Sequence, residues 1–300
     1  MSRKIIIGSR GSDLALWQAN RVKKQLEELS NEVVIKVIKT QGDRIQHLSF
    51  DKLEGKGFFT KELEEALLNK DVDLAVHSHK DLPTENPKGL VISAVSDRED
   101  CADILLIRKE SIDENEKWNL KKGAIIGTSS ARRKAQLSHH LSDIELKDLR
   151  GNVPTRINKL REGQYDAIML AAAGVKRLKL DVSDLHVERL EPKEFVPAPA
   201  QGVLGLQTRI EDTELANVLS NLNDKDVERR ISVERRILNL FGGGCQMPLG
   251  AYCEEDGDQL TVWSSRAKTW DSEVQYVIVS GTDSELIAKE SVEKLGGILD

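Results

Sequence analysis

No apolar run in this 300-residue sequence approaches the roughly 20 residues that a membrane-spanning helix needs. The stretch Ile5-Ile6-Ile7 is too short for a secretory signal and reads as a first strand. That points to an intracellular, cytoplasmic protein with no membrane partner. Cysteine is scarce. Cys101, Cys245 and Cys253 form neither an even set nor a Cys-x-x-Cys pair, which argues against a disulfide framework and a structural zinc site. The runs Gly242-Gly243-Gly244 and Glu54-Gly55-Lys56-Gly57 lack the Gly-Lys-Ser/Thr ending of a phosphate loop, so a P-loop nucleotide enzyme is disfavoured. Nor is there an excess of positive charge: the formal net charge of −6 argues against a general nucleic-acid binder.

What is present is an ordinary globular composition, 39% hydrophobic and 31% charged. The length exceeds one comfortable hydrophobic core, so two or three domains are expected. Charge is unevenly spread. Between Thr128 and Arg161, eight Lys or Arg stand against three acids, a window of +5 that leaves −11 for the rest. A basic island in an acidic chain suggests a local anion site, although the same residues also read as a solvated helix face.

The first half alternates strand and helix. Lys4–Ile7 is β-rich. Ser12 can cap a helix whose apolar face would be Leu14, Trp17, Val22, Leu26 and Leu29. Val33–Ile38 reads as a strand, Lys61–Asn69 as a helix, and Leu74–Val76, Leu90–Val95 and Ile104–Ile107 as strands. Strands separated by helices imply parallel βαβ units. The layout then starts again: Ile6-Ile7-Gly8-Ser9-Arg10 is echoed by Ile125-Ile126-Gly127-Thr128-Ser129, which suggests two α/β lobes of related design. Pro192, Pro197 and Pro199 mark an extended connection between the lobes. Two helical patterns, three strand-like runs and a closing helix from about Asp212 form a small α+β unit.

Arg132 and Arg133 fall at a helix start, where cations oppose the helix dipole. They make sense there if an anion docks on them and on the free backbone N–H groups. Arg10 occupies the matching turn of the first lobe. Ligands of open α/β sheets bind beyond the carboxyl ends of strands, and both turns lie there. His77-Ser78-His79-Lys80-Asp81 also follows a strand. Asp81, one carboxylate among cations, suits catalysis on an anionic substrate better than anion binding alone. Cys101 and Cys253 read as small buried hydrophobes. The glycine run before Cys245 reads instead as an exposed, adjustable loop.

Together these motifs resemble the porphobilinogen deaminase family over most of the chain. The pattern runs through Ser9-Arg10-Gly11-Ser12-Asp13-Leu14-Ala15-Leu16-Trp17-Gln18-Ala19 and Gly55-Lys56-Gly57-Phe58-Phe59-Thr60-Lys61-Glu62-Leu63-Glu64. It continues in Ala75-Val76-His77-Ser78-His79-Lys80-Asp81, Gly127-Thr128-Ser129-Ser130-Ala131-Arg132-Arg133 and Leu149-Arg150-Gly151-Asn152-Val153. Pro199-Ala200-Gln201-Gly202 and Gly243-Gly244-Cys245-Gln246-Met247-Pro248 complete it. Each motif is weak alone; their joint order is highly specific. His79 stands where the family usually has Met, and Ala131 where it often has Leu. Neither departure removes a residue the mechanism needs.

The resemblance implies an α/β fold of two lobes like type II periplasmic binding proteins, plus a small α+β C-terminal domain, with the active site between the lobes. The first lobe would cover 1–99 and be regained at 200–217, the second would cover 100–199, and 218–300 would carry the cofactor cysteine. The resemblance also implies a hydroxymethylbilane synthase, a transferase of porphyrin and heme biosynthesis. Such an enzyme condenses four porphobilinogen molecules head to tail with loss of ammonia and releases the linear tetrapyrrole by hydrolysis. Its dipyrromethane cofactor would be joined to Cys245 by a thioether. Asp81 would be catalytic. Lys80, Ser129, Arg132, Arg133, Arg150 and Gln201 would bind the cofactor. Arg10, Ser12, Gln18, Lys56, Phe59, Arg150, Arg156 and Arg177 would bind substrate, with the loop around Lys52, Lys56 and Phe59 covering the site. No metal or nucleic acid is implied, and a monomer is expected. A non-catalytic carrier built from the same lobes would account for the arginines, but not for Asp81, Cys245 or the third domain.

Overall fold

The structure is a computed structural model that describes residues 4–40, 60–244 and 246–298. In chain order its main elements are β1 (Lys4–Ser9), α1 (Asp13–Glu28), β2 (Glu32–Val37), α2 (Lys61–Leu68), β3 (Leu74–Ser78), β4 (Leu90–Val95) and β5 (Asp103–Ile107). There follow β6 (Ala124–Gly127), α3 (Ala131–His140), β7 (Ile144–Lys147), α4 (Val153–Arg161), β8 (Ala167–Ala171), α5 (Ala172–Arg177), β9 (His186–Arg189) and β10 (Leu204–Arg209). The last are α6 (Thr213–Leu219), α7 (Lys225–Leu240), β11 (Leu249–Asp256), β12 (Gln259–Arg266), β13 (Gln275–Gly281) and α8 (Ser284–Lys294).

The described chain divides into two compact units: 4–40, 60–99 and 202–229 form the first, and 100–201 with 230–298 the second. The first is built on a sheet of order β2-β1-β3-β10-β4. In it β1 runs parallel to β2 and β3, while β10 runs antiparallel to β3 and β4. The second contains a sheet of order β7-β6-β8-β5-β9, with β6 parallel to β7 and β8, and β5 antiparallel to β8 and β9. Both sheets thus have one plan, with one strand antiparallel to the other four, whereas strand–helix alternation implies parallel βαβ units throughout. In each unit the antiparallel strand is the first one formed after the chain enters from the other unit: β10 after residue 202, β5 after residue 100.

The internal echo extends to side chains. Asp73 Oδ2 accepts from Ile6 N at 2.9 Å, and Asp166 Oδ2 accepts from Ile125 N at 2.9 Å. These aspartates immediately precede β3 and β8. Each ties its strand to the one that runs into a serine-capped helix.

Ser12 accepts from Ala15 N and Ser130 from Arg133 N, which satisfies orphan donors at the starts of α1 and α3. The buried face of α1 differs from expectation. Ala15, Gln18, Ala19, Val22 and Leu26 are buried, Leu14 and Trp17 only partly, and Leu29 is an exposed C-cap. Small Ala15 and Ala19 let α1 lie close to the sheet, and Gln18 finds a polar partner there. One core joins Ile5, Ile7, Val22, Leu26, Leu74, Val76, Leu204 and Leu206, and a second on the other face joins Leu63, Leu67, Val72, Ala75 and Leu90. Fully burying such a side chain contributes about 1.5–3 kcal/mol.

Gly202 needs its glycine. Its φ is +90°, and a Cβ there would collide with the Glu99 carbonyl. In the second unit the sheet β11-β12-β13 packs with α7 and α8 around Val233, Ile237, Leu249, Cys253, Val262, Ile287 and Val292. Buried Glu234 links this layer to the segment before Gly202: its carboxylate accepts from Ala200 N at 2.7 Å and from Cys253 N at 2.8 Å.

Candidate functional site

In the first unit the relevant residues gather at the carboxyl ends of two adjacent parallel strands. β1 ends at Ser9 and turns through Arg10, Gly11 and Ser12 into α1. β3 ends at Ser78 and enters a single 3₁₀ turn, His79–Asp81. That turn is held by His79 N donating to Val203 O at 2.9 Å. Arg10, Ser12, Lys80 and Asp81 are half-buried. Gln18, expected to bind substrate, is 2% exposed, and its amide donates to Ser78 Oγ at 2.8 Å. In this structure it joins α1 to the end of β3.

Behind the turns lies a buried polar row that the sequence did not reveal. His77 Nε2 meets Gln207 Oε1 at 3.1 Å, and Gln207 Nε2 donates to Glu64 Oε1 at 3.4 Å. Burial pushes the His77 ring down to about 4, with nearby Arg10 acting in the same direction and the Gln207 bond opposing. Burial raises the Glu64 carboxyl. A histidine kept neutral in the fold lets the unfolded chain bind more protons between pH 6.5 and 4. Its contribution to stability is therefore complete above about pH 6.5 and is lost as pH falls toward 4, a swing of about 3 kcal/mol at most. His77→Gln should flatten the loss of stability between pH 7.5 and 4.5 in urea titrations. An unchanged slope would rule His77 out as its source.

In the second unit Arg132 and Arg133 occupy the first turn of α3, and both are buried, at 5% and 6% exposed. The charge that offsets them was not anticipated. Asp103, at the start of β5, is 0% exposed. Its Oδ2 accepts from Arg132 Nη1 at 2.7 Å, and its Oδ1 accepts from Arg133 Nη2 at 2.7 Å and Nε at 3.1 Å. Burial alone would raise this carboxyl; the two guanidinium groups outweigh it and hold it well below the usual carboxylate range. Gln201, expected at the cofactor, is 0% exposed, and its amide donates to Asp103 Oδ1 at 2.9 Å and Cys101 O at 2.8 Å.

Ser129 Oγ donates to Leu149 O and accepts from Leu149 N, both at 3.0 Å, so it braces the turn between β7 and α4. In that turn Lys159 Nζ donates to Arg150 O at 3.0 Å and Arg156 Nε to Gly151 O at 2.8 Å. Arg150 and Arg156 are half-buried, whereas Arg177, at the end of α5, is 5% exposed. Cys101 and Cys253 are buried thiols. Cys245, Lys52, Lys56 and Phe59 lie outside the described residues. Among the described residues no group of His, Cys, Asp and Glu could hold a metal ion.

Nothing local in the sequence marked Asp103 or Gln207. Both sit in short runs that read only as strand, and their partners are 29 to 143 residues away. The turns of the first unit can bind carboxylates while presenting one carboxylate of their own. The second unit offers a cluster of arginines with a single buried counter-charge. Two α/β units of one plan with such turns have the features of a class of proteins that handle small anionic molecules.

The comparisons with known proteins narrow that class. A family model described as "Porphobilinogen deaminase, dipyromethane cofactor binding domain" matches residues 5–217. The porphobilinogen deaminase of Oceanobacillus iheyensis is 42% identical over 295 residues, covering 98% of this chain and 94% of its own length. That of Streptococcus sanguinis is 40% identical over 294 residues, covering 97% and 95%. A solved chain from work on glutathione import in Streptococcus mutans aligns with a TM-score of 0.43 at 12% identity, over 82% of this chain and 98% of that one, a likeness too slight to argue from. The chain belongs to the porphobilinogen deaminase family. It is accordingly a transferase of tetrapyrrole biosynthesis, a hydroxymethylbilane synthase with a dipyrromethane cofactor and porphobilinogen as substrate.

Proposed function

We propose that this chain performs its family's reaction with Asp81 as the catalytic residue and Cys245 as the point of cofactor attachment. The observation that carries the assignment is the half-buried Asp81 at the carboxyl end of β3, whose neighbour β1 ends in the turn holding Arg10 and Ser12. Each porphobilinogen brings an acetate, a propionate and an aminomethyl group. Arg10 and Ser12 bind its carboxylates; a charge-assisted hydrogen bond of this kind contributes roughly 1.5–3 kcal/mol.

The C–N bond of the aminomethyl group breaks, and ammonia leaves. Asp81 stabilises the positive charge left on the substrate pyrrole. A new C–C bond forms between the substrate methylene and a free pyrrole α-carbon, and Asp81 accepts the displaced α-proton. After four such additions the C–C bond that holds the first-added ring breaks, the α-carbon it leaves takes back a proton, and water adds to the methylene so freed, releasing hydroxymethylbilane.

The donor set fits the cofactor. Nε and Nη2 of Arg132 make no hydrogen bond among the described residues, and a guanidinium edge of that kind matches a carboxylate. Bound dipyrromethane supplies the pyrrole α-carbon that starts the chain. Arg132, Arg133 and Arg150 would hold its carboxylates and Arg156 those of the growing product, with Ser129 and Gln201 supporting them and Arg177 at the margin. Lys56 and Phe59, outside the described residues, are read as substrate-binding.

We also read the second unit as two domains, the lobe and the α+β domain, because the three-stranded sheet has its own core. A cytoplasmic monomer that binds neither nucleic acid nor membrane completes the reading. No helix among the described residues is long and apolar enough to cross a membrane.

The test is intact mass after mixing the purified chain with porphobilinogen. The expected result is a ladder of added pyrrole units with release of ammonia; neither would appear if the activity were different. Arg10→Leu should carry cofactor yet lose the first rung of that ladder, by about 10-fold or more in rate, since at least one charged contact is removed. A normal ladder in Arg10→Leu would place substrate elsewhere.

A further inference from the structure

We infer that Asp103 is a positioning residue for the cofactor, setting through Arg132 and Arg133 which guanidinium edge and how much charge the cofactor carboxylate meets. The inference rests on the reading above that these arginines bind the cofactor, and extends it to a residue that touches neither cofactor nor substrate.

Each nitrogen of Arg133 already has an acceptor, which leaves only the second hydrogens of Nη1 and Nη2 for a further carboxylate. Nε and Nη2 are on Asp103 Oδ1, and Nη1 donates to Met169 O at 3.1 Å. Arg132 spends only Nη1, on Asp103 Oδ2 at 2.7 Å and Val196 O at 2.8 Å. Its Nε and Nη2 form an edge of two donors with no partner among the described residues. A guanidinium is rigid and planar, so fixing one nitrogen at two acceptors fixes the plane and direction of that edge. The charge is set by the same contacts. Two buried arginines without a counter-ion would repel each other in a poorly solvated site. With Asp103 the cluster carries +1, matched to a single carboxylate.

The carboxylate is itself held. Gln201 donates to Oδ1 at 2.9 Å, and the residues around it are tied in turn. Gln136, 1% exposed, donates to Val196 O at 2.9 Å and accepts from Val196 N at 2.7 Å. The same Val196 carbonyl receives Arg132. Ala251 N, on β11, donates to Pro197 O at 3.0 Å, and Glu234 holds Ala200. The segment from Val196 to Gln201 therefore binds the arginine cluster on one side and the α7–β11 layer on the other. That layer contains the two elements that flank Cys245 in the chain.

The experiment uses apo-protein made in cells that cannot produce porphobilinogen. Loading on added porphobilinogen is followed by intact mass, and then kcat and KM are measured per loaded molecule. Asp103→Asn should slow loading by about 100-fold, the size expected when one preorganised charge contact is lost. In the loaded fraction kcat should fall with KM for porphobilinogen unchanged, because Arg10 lies in the other unit. A purely structural role would lower the melting temperature and leave kcat and KM per loaded molecule at wild-type values. Combining Asp103→Asn with Arg132→Leu should cost at most about 3-fold beyond Arg132→Leu alone, since residues acting through one network are not additive. Wild-type loading by Asp103→Asn, or fully additive effects, would overturn the inference.

If Asp103→Asn does not fold, Gln201→Met keeps both ion pairs and removes one bond to the carboxylate. It should slow loading by about 10-fold or more, as loss of one charge-assisted bond implies, and unchanged loading would again overturn the inference. A wild type that never gains the cofactor mass would refute the cofactor reading itself.

Discussion

Asp81→Asn is expected to keep its cofactor and to turn over on the order of 10²–10³-fold more slowly. The amide preserves size and hydrogen-bonding reach but removes the charge that balances the cationic pyrrole left when ammonia departs. It also cannot accept the α-proton displaced when the C–C bond forms, so loss of proton transfer adds to the deficit. Substrate affinity should suffer less, because Arg10 and Ser12 carry the carboxylate contacts. If Asp81 served only to pair with neighbouring cations, the variant would melt earlier and turn over normally per folded molecule. Single-turnover rate and melting temperature, measured on the same cofactor-loaded sample, separate these outcomes. A near-normal rate ends the catalytic assignment.

Cys245→Ser is expected to have the mass of its sequence alone and no measurable turnover, whereas the wild type should be heavier by two linked pyrrole units. Thiolate is the nucleophilic form of cysteine, and a serine hydroxyl has no comparable population of anion near neutral pH. The other two thiols serve as internal controls. Cys101 is 8% exposed and Cys253, in the core beneath the three-stranded sheet, 0% exposed, so Cys101→Ser and Cys253→Ser should retain the added mass even where stability falls. An unmodified wild type that is nonetheless active would sink the attachment. Retention of the added mass in Cys245→Ser would move it to another residue.

Much of the local structure was legible in the residues. Ser12 and Ser130 stand where a side-chain oxygen can reach a backbone N–H three residues on, and they cap α1 and α3. The run Leu90–Val95 is strand β4 to the residue, and Ile104–Ile107 falls within β5. The turns after β1, β3 and β6 carry the residues named for them. The face of α1 was misread, because a count of large apolar residues favours Leu14, Trp17 and Leu29. The sheet instead selected Ala15 and Ala19 for close approach and Gln18 for its bond to Ser78.

By itself the sequence determined what depends on neighbours a few residues apart: caps, strand ends, the glycine before Cys245, and the ordered motifs that identify the family. Tertiary structure alone decided the rest. The antiparallel entry of β10 and β5 into otherwise parallel sheets cannot be read from strand–helix alternation, because it follows from where the chain returns after leaving a unit. The role of Asp103 is of the same kind. Its partners Arg132, Arg133 and Gln201 lie 29, 30 and 98 residues away. A buried carboxylate must be matched wherever the fold puts it, and the sheet order, not the local sequence, brought those three side chains within reach.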